Sequence, residues 1–239
     1  MDASTIALKI ASSRRIQSQG VGLVVTPNID HVVQLRRNQA LARAYQHAEI
    51  IVCDGFPVRY YAQMRGLQVK RVAGTDIAAE LMRKAPPDQS ARLFFVVDSE
   101  ATQDAVYNWA KTRGLHGSVL TSVPKYGFER DAEFCSDLAR QITGHGTTIL
   151  MMGVGAPRSE IFVNTYRRSL PPCWALCVGQ AIKIEVGLVR RAPLLVQRMH
   201  AEWLWRIMQE PRRLTGRYLK GGGLYLVAVL EDLLGRGSR

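Results

Sequence analysis

The stretch EIIVCDGFPVRYY, residues 49–61, decides the fold. Ile50, Ile51, Val52 and Cys53 make a short apolar, β-branched run with the length of a buried strand. The run ends at Asp54 and Gly55, and a helix-like segment follows. A carboxylate at that point either caps the next helix or faces a ligand. Gly55 and Pro57 predict a tight turn that holds the Asp54 carboxylate at the rim of a cleft.

The same grammar repeats outward in both directions. Short apolar runs stand at VGLVVT (21–26), RLFFVV (92–97), GSVLTSV (117–123), TTILMMG (147–153) and WALCVG (174–179). They are apolar on both faces, as strands covered by helices on both sides should be. Between them lie longer segments with apolar residues at helical spacing, for example Val32, Leu35, Ala42 and Tyr45. Thr75 or Asp76, Ser99 and Pro157 stand near expected helix starts, and Gly114 and Gly144 follow expected ends. Strand–helix alternation of this kind predicts an α/β fold: a Rossmann-like, mostly parallel sheet with helices on both faces. Ligands of such sheets sit beyond the carboxyl ends of the strands. That places Thr26, Asn28, Asp54, Asp98, Gly153 and Gly155 on the ligand side. For Asp98, before Ser99, helix capping is the simpler reading.

The 239 residues carry 32 Lys and Arg against 20 Asp and Glu, a net charge of +12. Such a surface attracts nucleic acid, anionic lipid or phosphorylated ligands. The charge is concentrated: residues 190–220 hold eight basic side chains and two acidic ones. Cys53, Cys135, Cys173 and Cys177 show no disulfide framework and fit a reducing compartment. The N-terminus lacks the apolar core of a signal peptide. No run reaches the roughly 18 apolar residues of a spanning helix.

Past residue 180 no further strand is evident. The segment RRAPLLVQRMHAEWLWRIMQEPRR is helical and amphipathic in pattern. Leu195, Met199 and Trp203 fall on one stripe, Arg198, Glu202 and Arg206 on another. Pro211 is expected to end it, and KGGG (220–223) to act as a flexible joint before a last apolar helix. Two parts are expected: a Rossmann-like domain over 1–190 and a basic, amphipathic helical appendage over 191–239.

In MMGVGAPRSE (151–160) a strand runs into a Gly-x-Gly turn with Pro157 at a helix start, a geometry that offers N–H groups to a phosphate. Arg158 replaces the third glycine of a dinucleotide fingerprint, and no Gly-Lys-Ser/Thr follows as in a P-loop. No Asp-x-Asp stands ready to hold a metal, and the histidines (His31, His47, His116, His145, His200) lack ligand spacing. No cofactor or metal is expected. A diphosphate leaving group would be met by arginine and lysine.

TPN (26–28), CDGFPV (53–58), RVAGTD (71–76), GVGAPRSE (153–160), RRAP (190–193) and EWLWRIMQEPRRLTGRYL (202–219), in this order, resemble the WecG/TagA/CpsF family of bacterial glycosyltransferases. The resemblance runs from about residue 20 to 220. It implies an inverting, metal-independent transfer of a sugar from a UDP-sugar donor to a polyprenyl-diphosphate-linked saccharide acceptor. The setting it implies is surface polysaccharide or exopolysaccharide synthesis, peripherally at the cytoplasmic face of the inner membrane. By the same resemblance Asp54 is the general base, with Thr26 and Asn28 near it. Gly153, Gly155 and Pro157 make the nucleotide turn, and Arg206, Arg213 and Arg217 contact diphosphate. The matched motifs also supply Gly55, Gly74, Asp76, Glu160 and Arg191 as substrate-binding candidates.

Two positions depart from the family pattern. Ser159 stands where Gln is usual, and Ile182–Lys183 replace a Phe-Asp pair. The Asp-to-Lys reversal implies that Lys183 faces an anionic donor sugar such as a uronic acid. Two competing classes are a phosphate- or nucleic-acid-binding module and a transferase relative without activity. The first is disfavoured because the basic charge gathers beside tryptophans and leucines, and no nucleic-acid motif appears. The membrane surface is the expected macromolecular partner, not nucleic acid, and a homo-oligomer is compatible with the sequence.

Overall fold

The computed structural model describes residues 1–84 and 91–234, apart from the side chains at 213 and 217. The elements run α1 (Ala3–Ser12), β1 (Gly22–Val25), α2 (Ile29–Leu35), α3 (Gln39–Gln46), β2 (Ala48–Ile51), α4 (Phe56–Met64), α5 (Gly74–Lys84), β3 (Leu93–Val96) and α6 (Glu100–Thr112). They continue with β4 (Val119–Ser122), α7 (Ala132–Gly144), β5 (Ile149–Met152), α8 (Arg158–Thr165), β6 (Trp174–Cys177) and α9 (Ala181–Glu185). Three C-terminal helices close the chain: α10 (Leu194–Arg198), α11 (Glu202–Gln209) and α12 (Pro211–Leu233). The strands form one six-stranded sheet in the order β2-β1-β6-β5-β3-β4, and every pairing is parallel. The expected Rossmann-like α/β architecture is present.

Alternation along the strands divides the core. Val24, Phe95, Met151 and Leu176 face α1, α5, α6 and α9. Leu23, Val25, Phe94, Leu150 and Ala175 face α3, α7 and α8. Burying each such side chain contributes about 1.5–3 kcal/mol, which commits the sheet to this register. The edge strands are the exception to two-sided burial. β2 leaves Ile51 exposed and β4 leaves Leu120 exposed, because each has a sheet neighbour on one side only. The four cysteines are free thiols.

Several local expectations change. Helix α1, capped by Asp2 and burying Ile6, Ala7 and Ile10, precedes the first strand and had no sequence-level assignment. The segment from Ile29 to His47 is two helices, because Asn38 accepts from Leu41 N–H and caps a second start. The long amphipathic segment breaks at His200, which takes φ 61° between α10 and α11. Helix α11 stops at Gln209, ahead of Pro211 as expected, and Pro211 then opens α12, since proline suits the first turn. Lys220 to Gly223 lie inside α12 and are no flexible joint. A Cβ on Gly221 would come within 2.9 Å of Asp30 Oδ1, so a glycine lets α12 lie close against α2.

Helix α12 packs against the elements that precede it. Leu214, Tyr225 and Ala228, on one face of α12, are buried. Tyr225 Oη donates to Pro57 O at 2.9 Å, and Arg36 donates to Ala228 O at 2.9 Å. Ion pairs join Arg36 to Glu231 and Arg71 to Glu202. Gln180 donates to Glu210 at 3.0 Å across the strand ends.

Candidate active site

The loops after β1, β2, β5 and β6 converge beneath α11 and α12, and Asp54 sits where they meet. Its N–H donates to Pro27 O at 2.9 Å, which ties the loop after β2 to the loop after β1. Gly55 takes φ 112° and precedes α4. Only glycine holds that conformation without strain, and it turns the chain so that the Asp54 carboxylate is left beside the cleft and out of the cap. No side chain caps α4, so helix capping is not the role of Asp54.

Burial pushes the Asp54 carboxyl above its ordinary pKa. The nearby guanidinium groups of Arg206 and Arg71 pull it back, Glu202 adds to the rise, and the Gly74 N–H, donated from the first residue of α5, lowers it. The result is a carboxylate more ready than usual to take up a proton. Arg71, which forms its ion pair with Glu202, was not a sequence candidate, although it opens the RVAGTD motif.

Two cavities share Asp54. The first, about 600 Å³, lies over the strand ends and is lined by Thr26, Asn28, Gly153, Gly155, Ser159, Glu160, Lys183 and Arg206 among others. The second, about 450 Å³, lies between α4 and α11–α12. Asn28, Asp30, Asp54 and Arg206 line both.

The other candidates sort by what they touch. Buried Thr26 donates from Oγ1 to Cys177 O at 3.2 Å and links the ends of β1 and β6. Asn28 caps α2, accepting from Asp30 N–H at 3.0 Å and His31 N–H at 3.4 Å. Glu160 is only 1% exposed and pairs through Oε1 with His31 Nε2 at 3.4 Å, while His31 Nδ1 lies 2.9 Å from Asn28 Oδ1. Glu160 therefore reaches the cleft chiefly through His31, a residue that sequence spacing could not single out. Lys183 reaches the first cavity and pairs with Asp98 at 2.7 Å. Asp98 also accepts from Thr102 Oγ1 at 3.1 Å, while Ser99 is the actual cap of α6. Ser159 donates to Gly155 O at 3.2 Å and steadies the Gly-x-Gly turn.

Three candidates sit differently from expectation. Pro157 is the residue before α8 and lines neither cavity, because the helix starts at Arg158. Asp76 and Arg191 pair with each other and line neither cavity. The side chains of Arg213 and Arg217 lie outside the described residues. Arg158, read in sequence only as a missing glycine, lines the first cavity, donates to Val154 O and lies 4.4 Å over the Tyr126 ring. Among the described residues no group of three or more His, Cys, Asp or Glu is placed to hold a metal ion. No described helix is long and apolar enough to cross a membrane.

The strand ends of the parallel sheet carry a buried carboxylate, adjacent guanidinium groups and a glycine turn, at the place where such sheets bind ligands. The fold is that of a Rossmann-like α/β protein with its cleft at the strand ends. The Glycosyl transferase WecG/TagA/CpsF family model matches residues 3–239, and the chain belongs to that family of glycosyltransferases. It is 24% identical over 216 residues to a Bacillus spizizenii protein, an N-acetylglucosaminyldiphosphoundecaprenol N-acetyl-beta-D-mannosaminyltransferase. That match covers 90% of this chain and 80% of the relative.

Proposed function

We propose that the chain moves a sugar from a UDP-sugar to a polyprenyl-diphosphate-linked saccharide in surface or exopolysaccharide synthesis, inverting the anomeric centre without a metal. The observation that carries this reading is Asp54 between two cavities with Arg206 on both. An acceptor hydroxyl, a poor nucleophile at neutral pH, forms the new C–O bond while Asp54 takes its proton. The bond from the anomeric carbon to UDP breaks on the opposite face, and UDP leaves with the electron pair. Burial favours the neutral carboxylic acid that results. Arg206, Arg158 and the Gly153–Gly155 turn stabilise charge growing on the diphosphate, and such donors act most strongly in the transition state. The relative's name supports the lipid-linked acceptor.

Residues 1–190 are the catalytic domain in this reading and 191–239 the appendage. The appendage presents Leu194, Leu195, Met199, Trp203, Leu226 and Leu230 to solvent, beside basic side chains such as Arg198. That composition suits peripheral binding to an anionic membrane at its cytoplasmic face. Lys183, on the wall of the donor cavity, is assigned to an anionic donor sugar, which would compete with Asp98 for the ammonium group. UDP release, measured with UDP-glucuronate, UDP-glucose and UDP-N-acetylmannosamine and a synthetic polyprenyl-diphosphate acceptor, tests the reading. Turnover with one of these donors supports the transferase assignment, and silence with all of them contradicts it. Equal use of acid and neutral donors, or a preference unchanged in Lys183→Ala, removes the uronate assignment.

A further inference from the structure

Resting on that reading, we propose that the second cavity is the seat of the acceptor's lipid, holding the isoprene units next to the diphosphate. The two cavities differ in their walls. The first is bounded by the glycine turn, Arg158, Lys183 and Asp98. The outer part of the second is walled by Ile29, Phe56, Pro57, Trp203, Ile207 and Leu219. A sugar or a nucleotide placed against those apolar side chains would lose hydrogen bonds to water that they cannot replace. An isoprene chain loses nothing there, and its burial is favourable at every carbon. The rest of the lining is polar: Asn28, Asp30, Asp54 and Arg206, with Arg71 paired to Glu202. A molecule with a hydroxylated head, a diphosphate and an unsaturated hydrocarbon tail matches those two kinds of wall.

The apolar wall is anchored. The Phe56 ring stacks on His200, with centroids 3.3 Å apart, and the Arg71 guanidinium lies 4.8 Å from the Phe56 centroid. His200 makes this stack from φ 61°, a conformation that non-glycine residues adopt at a cost, so the helix break at this residue also shapes the cavity wall. The outer rim leads to the membrane-facing surface. Trp203 and Leu219 are 52% and 74% exposed, and Met199 and Leu226, four and seven positions away in the chain, are exposed as well. A chain emerging past them would meet Met199 and Leu226, and not bulk water alone.

Binding of farnesyl diphosphate, geranyl diphosphate and inorganic diphosphate to the full chain, by calorimetry without vesicles or detergent, tests the proposal. The expected order is farnesyl over geranyl over inorganic diphosphate, with farnesyl at least about tenfold tighter than the inorganic ion. In Trp203→Ser/Leu219→Ser, two exposed positions whose exchange leaves the buried core intact, that advantage should fall to within about threefold. Circular dichroism checks that the variant is folded. The proposal is overturned if the prenyl chain adds nothing, if the double variant keeps the full advantage, or if the advantage appears only when vesicles are added, which assigns the apolar rim to bulk lipid. This measurement needs neither donor nor turnover. Prenyl binding without UDP release would leave the lipid seat standing while the transfer assignment fails, and the reverse result would separate them the other way.

Discussion

Replacing Gly153 by alanine tests how the strand ends set the site. Gly153 follows β5, and its N–H donates to Val96 O at 2.7 Å. A Cβ there would stand 2.9 Å from Ile182 Cδ1 and 3.2 Å from Val96 O. The carbonyl is fixed by the sheet, so Ile182 must move, yet Ile182 is only 1% exposed and its neighbours are packed. Overpacking of this kind costs about 1–3 kcal/mol. For a chain of this size each kcal/mol lowers Tm by about 2–4 °C, so the expected fall is about 2–12 °C. Displacing Ile182 also moves α9 and with it Lys183, which should lower kcat by more than the stability loss explains. The partner experiment is Gly153→Ala/Ile182→Val, which removes the clashing methyl. Ile182→Val alone costs about 0.5–1.5 kcal/mol. The double variant should nevertheless match or exceed the stability of Gly153→Ala, a favourable coupling measured by thermal unfolding of all four forms. Additive losses, or an unchanged Tm in Gly153→Ala, would refute the close-packing argument.

Two further outcomes are expected. Arg206→Gln removes the largest influence holding the Asp54 pKa down, so that pKa rises further and the acid limb of the kcat/KM profile moves to higher pH. Activity should fall on the order of 100-fold as the diphosphate loses a partner, and more steeply at pH 6 than at pH 8; an acid limb that stays in place would contradict the electrostatic link. Leu214→Ala opens a cavity beneath α12 at a side chain 1% exposed, which costs about 2–5 kcal/mol and should loosen the appendage. Limited proteolysis should then cut ahead of α12 in the variant alone; identical patterns would show that Leu214 does not hold the appendage.

The sheet was legible because its signal is repetitive: each apolar run ended at a turn and was followed by residues at helical spacing. The ligand side followed from parallel strands, and Asp54, Thr26, Asn28 and the Gly153–Gly155 turn do converge there. Interactions between distant residues were not legible. The Arg71–Glu202 pair spans 131 positions and the Lys183–Asp98 pair joins α9 to the loop after β3, and neither has a local pattern. Glu160 looked like a direct contact because it stands in a motif, but the fold buries it against His31. The appendage misled for another reason. Gly221 to Gly223 oppose a helix by local propensity, yet the anchors at Leu214, Tyr225 and Ala228 on either side hold α12 as one.

The account depends most on Asp54 as the proton acceptor, and Asp54→Asn measures that directly when rate and stability are read together. Its raised pKa means that the charged form is disfavoured in the folded state. The stability it contributes is present below its unfolded pKa and is lost as pH rises through the folded value, so at neutral pH the carboxylate is a net cost. Asparagine should therefore leave Tm equal to or above that of the parent while turnover falls on the order of 100-fold or more. Turnover close to the parent's in a well-folded Asp54→Asn protein would contradict the account.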